Sequence, residues 1–244
     1  MAIGTPTEVG GFATHNASDA TTTLSWSAFT PAVGDIIVVA FSYYIADTLS
    51  NAVSCSNNGF TVDSWTQYSV PYDLTGFATW VRTGFFVGRC TASASGVVTL
   101  TRTDTNNTSW QMYGRIATVT GCASSTYVAQ SGTAVPVNSS TAQVTLGSAV
   151  TAGNALMTVV FDAGGSGGQT PPTGHTQLTR FSENGDDTCW SYSLSPPSNA
   201  PQWSTLQSQP NVASNMVVIE LAAPAAGIAG LTPLPRRKLV TKVG

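Results

Sequence analysis

Few residues in this chain have the type and spacing that chemistry needs. Two histidines occur, His15 and His175, and neither belongs to an H-x-H, H-E-x-x-H or Cys/His pattern able to gather zinc. Gly164-Gly165-Ser166-Gly167-Gly168 satisfies G-x-S-x-G. A nucleophilic serine there would need a strained strand-to-helix turn, whereas Pro171-Pro172 and no helical pattern follow it. A flexible glycine loop is the expectation. Glu183, Asp186 and Asp187 form the one acidic cluster. Oxygen ligands on such an Asn/Gly-rich turn could hold Ca²⁺, but a solvated hairpin turn explains them more simply. The other acids are scattered, mostly at turns, and offer no pair facing across a cleft for glycoside hydrolysis. Cys55, Cys90, Cys122 and Cys189 contain no C-x-x-C pair and read as buried reduced thiols. The chemistry expected is therefore none: no enzyme, no metal and no cofactor.

Binding residues are better represented. Trp80 and Trp190 occupy matching places in the two halves of the chain and are expected in the core. Trp26, Trp65, Trp110 and Trp203 do not recur equivalently. They, with Tyr43, Tyr44, Tyr68 and Tyr72, are assigned mainly to core or to a subunit interface, with sugar stacking a lesser alternative. The C-terminus stands apart by charge. Residues 1–235 hold five arginines and all twelve acids, a net −7, while the last nine residues hold Arg236, Arg237, Lys238 and Lys242, a net +4. With Leu231, Leu234, Leu239 and Val240 as apolar anchors, this segment reads as an extended arm that orders when it grips an acidic protein neighbour. Nucleic acid is a poor partner for it, because the acidic body would oppose the approach.

The elements that must position these residues are strands. Almost nothing has helical periodicity. β-branched and aromatic runs near residues 7–13, 21–28, 35–44, 60–68, 77–87, 96–102 and 110–120 are bounded by turn residues. They recur near 126–132, 141–149, 154–162, 175–182, 187–194, 202–208 and 214–222. The repeat is visible in the residues. Gly34-Asp35 leads into Ile36–Phe41 as Gly153-Asn154 leads into Ala155–Phe161, and Gly59-Phe60-Thr61 is answered by Gly174-His175-Thr176. A period of roughly 120 residues means two related modules rather than a solenoid. The expected fold is all-β: two tandem β-sandwich domains, of jelly-roll or immunoglobulin-like connectivity, plus the arm. The domains are placed at residues 1–122 and 123–225, with the arm at 226–244. The short joint at Ala123-Ser124-Ser125 implies a fixed relation between the modules.

Only 9% of residues are charged, against about a quarter in an average soluble protein, yet 42% are hydrophobic. A polar but uncharged surface suits a β-rich protein that must survive outside a cell. Met1–Pro6 has neither a basic segment nor an apolar core after it, so a chain made and retained in a cytosol is expected. The longest apolar run is far too short to cross a bilayer, and no membrane partner is expected.

Tandem β-sandwich modules with Val33-Gly34-Asp35 before a hydrophobic strand, then Gly-Phe/His-Thr, then a tryptophan-bearing strand, resemble structural proteins of tailed-bacteriophage virions. That class includes capsid decoration (cement) proteins and tail or fibre components. The resemblance covers residues 5–225 in style. It implies a virion protein assembled in the host cytoplasm, a homo-oligomer bound to the major capsid protein or other virion proteins. Under it, Leu231, Leu234, Arg236, Arg237, Lys238, Leu239 and Lys242 are the partner-binding residues. A tail or fibre component able to bind host glycans, or a carbohydrate-binding surface protein, is the alternative.

Overall fold

The computed structural model describes residues 2–15, 23–45, 53–74, 79–102, 110–136, 139–162, 168–183, 186–207 and 214–225. Among them every element is a strand. The first half contains β1 (Thr7–His15), β2 (Thr23–Ser25), β3 (Ile36–Ile45), β4 (Val53–Asn57), β5 (Thr61–Val62), β6 (Thr66–Leu74), β7 (Thr79–Ala92), β8 (Val98–Arg102) and β9 (Trp110–Val119). The second contains β10 (Val128–Ala134), β11 (Thr141–Gln143), β12 (Ala155–Asp162), β13 (Thr176–Gln177), β14 (Phe181–Glu183), β15 (Asp186–Ser193), β16 (Gln202–Ser204) and β17 (Met216–Leu221).

The first half forms a large antiparallel sheet, β1-β9-β3-β7-β5 with β6 also on β7, and a small sheet, β2-β8-β4. The second half forms β10-β17-β12-β15-β13, with β14 also on β15, and the pair β11-β16. The two large sheets thus share one strand order. In each, the first strand pairs with the last and early strands alternate between the large and small sheets. That is jelly-roll connectivity, and it differs from the immunoglobulin arrangement of A-B-E-D facing C-F-G.

Strand β3 shows why the sequence lacks polar alternation there. Ile36, Val38 and Ala40 point to one core, while Ile37, Val39 and Phe41 point to another on the opposite face. A strand covered on both faces must be apolar at every position. The same division holds in β12, where Ala155, Met157, Val159 and Phe161 face one way and Leu156 and Val160 the other. Each sandwich therefore has a private core between its own large and small sheets. The first is built on Leu24, Trp26, Phe86, Val98, Leu100 and Ile116, the second on Ala142, Leu146, Trp203, Met216 and Val218.

The third core joins the halves. Val38, Phe85, Val87, Tyr113 and Val119 of the first large sheet pack with Met157, Phe161, Trp190, Val217 and Ile219 of the second. The molecule is a stack of four sheets, small-large-large-small, with apolar side chains in all three gaps. Tyr113 meets Phe181 edge-on across the middle gap, with ring centroids 5.9 Å apart. Polar contacts cross it too. Thr188 Oγ1 donates to Ser42 Oγ at 2.7 Å, Ser42 lies 3.2 Å from Thr83 Oγ1, and Asn215 Nδ2 donates to the Val81 carbonyl. At the rim, Glu8 accepts from the backbone N–H and hydroxyl of Thr179. The expected fixed relation between the halves arises from this shared core more than from the brevity of the joint.

The paired turns are alike in detail. Gly34 and Gly153 have φ of 96° and 87°, the left-handed region glycine enters without steric cost. The residue after each, Asp35 or Asn154, closes the turn by donating its N–H to the Ala32 or Thr151 carbonyl. Two sequence expectations need correction. Strand β4 was not anticipated, because Ser-Cys-Ser-Asn reads as a turn; inward Val53 and Cys55 make it a strand. The segment 60–68 is broken into β5 and β6, and 175–182 likewise into β13 and β14.

Candidate functional site

Of the residues singled out for chemistry, Asp187 and Cys189 are buried in the second private core and His175 borders it. β15 alternates, so Thr188 and Trp190 face the shared core while Asp187, Cys189 and Ser191 face inward toward β16. β12 does the same with Thr158 and Asp162. The first sandwich places Ile37, Val39, Phe41, Phe86 and Met112 on its corresponding face. The second sandwich has fewer apolar residues there and fills the space with hydrogen-bonded polar groups.

One such chain starts at His175. Its Nδ1 lies 3.0 Å from Ser191 Oγ, which lies 2.8 Å from Thr158 Oγ1, which accepts from Trp203 Nε1 at 2.9 Å. A histidine beside a serine is half of a nucleophile arrangement. Here Ser191 and Thr158 are fully buried, and the chain ends on an indole donor instead of a carboxylate. Burial also lowers the imidazole pKa to about 4, leaving it neutral at ordinary pH. The arrangement locks side chains in place and leaves no hydroxyl open to a substrate. His175 corresponds to Phe60, which is buried in the first sandwich, and its own ring borders a surface cavity of about 360 Å³ with Thr170, Pro172, Pro197 and Gln202.

A second group centres on Gln169, whose Nε2 donates to Asp162 Oδ2 at 2.8 Å and to Asp187 Oδ2 at 3.0 Å. Asp162 also accepts from the Gln207 backbone N–H, and Arg180 lies 3.4 Å from Asp187. Burial raises the Asp162 pKa, opposed by hydrogen bonds from Gln169 and Gln207, with the Asp187 charge adding to the rise. Asp187 is therefore no part of a solvated turn, as its place in the acidic cluster suggested. It is 1% exposed and spent on Gln169 and Arg180. The side chains of Glu183 and Asp186 lie outside the described residues, and no group of three potential metal ligands occurs among those described.

A third group centres on Glu220 in β17, also buried. It accepts from Asn154 Nδ2, from Gln130 Nε2 and from the Thr151 backbone N–H at 3.0 Å, tying the Gly153 turn to the sheet. Sequence reading missed it and the Asp162 group. The available signal was a lone acid inside an otherwise apolar strand, Val217-Val218-Ile219-Glu220-Leu221, since a buried carboxylate must be satisfied by neighbours.

The aromatic expectations divide. Trp190 and Trp203 are fully buried, and Trp26 is nearly so, donating its Nε1–H to the Gly114 carbonyl at 3.2 Å. Trp26, Trp203 and Tyr43, buried as they are, offer no face to a sugar. Trp65 is half-buried against the private core of the first sandwich and Tyr68 against the shared core. The side chains of Trp80, Trp110, Tyr44, Tyr72 and His15 lie outside the described residues. All four cysteines are free, and burial raises their thiols, to about 12 for Cys122 and Cys189, so they stay protonated.

The outer face of the small sheet β2-β8-β4 is different in kind. The register sets Thr23, Thr101 and Ser54 in one cross-strand row and Ser25, Thr99 and Ser56 in the next. All six hydroxyl side chains point away from the core, and Ser25 and Thr99 are 2.8 Å apart.

Ser166 and its flanking glycines at 164, 165 and 167 lie outside the described residues. So do Leu231, Leu234, Arg236, Arg237, Lys238, Leu239 and Lys242. The described chain ends at Ala225, with the Ala223 N–H bonded to Asn154 Oδ1 at 2.8 Å. No described helix is long and apolar enough to cross a membrane. No family model, no curated protein and no solved structure matches the chain.

Proposed function

We propose that this chain is a non-enzymatic virion structural protein, a capsid decoration protein that binds the major capsid protein through one sandwich face and its C-terminal arm. The observation that carries the reading is the separation of charge along the chain. A body of net −7 ends in an arm of net +4 that contains every lysine. An arm of opposite sign to its own body is suited to reach an acidic partner, and the body is suited to be a rigid spacer. Three packed cores support that second part, because they leave no hinge between the halves. The buried polar groups fit the same reading: His175, Ser191, Asp162 and Glu220 are engaged with one another's neighbours inside the protein. The sparse charge, 9% of residues, agrees with a surface that packs by shape in a repeated lattice.

The test is reconstitution on particles lacking the protein. The full chain should bind at hundreds of copies per particle, measured by quantitative mass spectrometry, and a chain ending at Ala225 should not bind. Equal occupancy by the shortened chain overturns the role of the arm. A few to a few dozen copies overturns the capsid assignment in favour of the tail, and binding to cells or polysaccharide in the absence of particles favours the glycan-binding alternative.

A further inference from the structure

The hollow of about 360 Å³ beside His175 lies between the turn at 172–175 and the outer side of β16. Backbone bonds hold its walls. Thr170 and Ser204 each donate an N–H to the other's carbonyl, at 2.9 and 3.1 Å, and the His175 N–H closes the turn on the Pro172 carbonyl at 3.0 Å. Strand alternation sends Trp203 into the core and leaves Gln202 and Ser204 on the outer side, where they line the hollow. Their side chains, and that of Thr173 nearby, have no hydrogen-bond partner among the described residues. The rings of Pro172 and Pro197 supply carbon surface, and no charged residue is among those that line the space.

The hydrogen-bond chain behind the hollow fixes what His175 presents to it. The Trp203 indole can only donate, so Thr158 Oγ1 accepts from it and still has its own proton to place. Ser191 Oγ, 2.8 Å away, is the acceptor in reach. Ser191 must then pass its proton on to His175 Nδ1 at 3.0 Å, because both hydroxyls are fully buried and an unplaced proton there is costly. With Nδ1 accepting, the neutral imidazole carries its hydrogen on Nε2. Nε2 has no partner among the described residues and is not sealed from solvent. The core thus orients a ring whose free end is an N–H donor. At the matching place in the first sandwich, Phe60 is buried against Phe29, with ring centroids 5.3 Å apart, and offers no such donor.

We infer that this hollow is a binding site for an uncharged saccharide, with His175 Nε2–H donating to a sugar oxygen. At about 360 Å³ it lies near the small end of ligand sites, roughly 300–1,000 Å³, which suits a short sugar. Thr173, Gln202 and Ser204 carry groups that both donate and accept, as sugar hydroxyls do. The proline rings meet the C–H faces of a pyranose. With no cation and no helix N-terminus in the wall, phosphates and carboxylates find nothing to neutralise them. The inference goes beyond the proposed function and does not rest on it: His175→Phe should occupy particles as the unaltered chain does, whether or not the sugar site is real.

The test is a nuclear magnetic resonance titration of the isotope-labelled full chain, read at Thr173, His175, Gln202 and Ser204. The probes are the methyl glycosides of glucose, galactose, mannose, rhamnose and N-acetylglucosamine, with inorganic phosphate and glucuronate run beside them at matched ionic strength. At least one glycoside should shift these signals saturably, and neither anion should. The imidazole nitrogen spectrum should show the proton on Nε2. His175→Phe and, separately, Gln202→Ala should each weaken binding by about tenfold, the loss expected from one hydrogen bond. Should His175→Phe fail to fold, the exposed Gln202→Ala decides alone. The inference is overturned by the absence of saturable shifts with every glycoside up to about 100 mM, well above millimolar affinity. It is equally overturned by a proton on Nδ1, by binding that the substitutions leave undiminished, or by an anion that moves the same signals more strongly.

Discussion

Phe161→Ala tests whether the middle core makes the two sandwiches one cooperative unit. Phe161 is fully buried in β12, facing Val217 and Trp190 on its own side and the first large sheet across the gap. Removing a buried phenylalanine ring costs about 3–5 kcal/mol, from lost transfer energy plus the cavity left behind. A domain's whole stability is of order 5–15 kcal/mol, so the loss is large without guaranteeing unfolding. At ~1.4 kcal/mol per decade it raises the frequency of global opening by about 10²- to 10⁴-fold. Hydrogen exchange read by mass spectrometry reports that frequency strand by strand. If the halves unfold together, the slowest amides of β3 and β7, in the other sandwich, speed up by the same factor as those of β12 and β17. The same logic predicts that residues 1–122 alone, with Val38, Phe85, Val87 and Val119 uncovered, self-associate. Unchanged exchange in β3 and β7 beside fast exchange in β12, or two separated denaturant transitions, would refute the shared-core reasoning.

Two further outcomes follow from the same geometry. His175 has a folded pKa of about 4, below the ordinary 6.5, so the unfolded chain takes up a proton that the folded chain refuses. Its contribution to stability is complete above about pH 6.5 and falls away as pH drops from there toward about 4; His175→Phe, the residue at the matching place in the first sandwich, should flatten denaturant-midpoint curves across that window. Gly114→Ala should destabilise by about 1–3 kcal/mol, because the new methyl would sit 2.9 Å from the Trp26 ring and 2.6 Å from the Ala40 carbonyl oxygen. Near-ultraviolet circular dichroism of the displaced indole checks it, and an unaltered Trp26 signal with unaltered stability would count against the packing described.

How much of this was legible in the sequence depends on whether the signal was local. The strands around Ile36–Phe41 and Ala155–Phe161, and the glycine turns before them, were readable because apolar runs and positive φ are properties of single segments. Strand β4 was not readable, since Ser54 and Ser56 look outward, Asn57 is polar although it sits on the inner face opposite Val98, and only Val53 and Cys55 vote for burial. The face-to-face stacking of the large sheets left a trace, the missing polar alternation in β3, but that pattern does not say what covers the second face. Asp187 was misplaced for a related reason. A turn-adjacent aspartate is ordinarily solvated, and only the arrival of Gln169 and Arg180 from elsewhere in the sandwich makes its burial tolerable. Residues 226–244 were legible only as a pattern of charge and proline, and they lie outside those described.

Placing the two large sheets back to back has a consequence for how such a protein can change. Every residue from Ile36 to Tyr43 in β3, and every residue of β12 and β17, is buried against neighbours it cannot outgrow, so substitutions there must come in compensating sets. Variation is left to the two thin outer sheets, the turns at the ends of the stack, and the tail. In the first sandwich that free surface is the double row of hydroxyls from Thr23 to Ser56, where a side chain can be exchanged without disturbing any core. A lineage of such proteins would keep its interior nearly constant while rewriting its outermost layer, and new partners would be acquired there first.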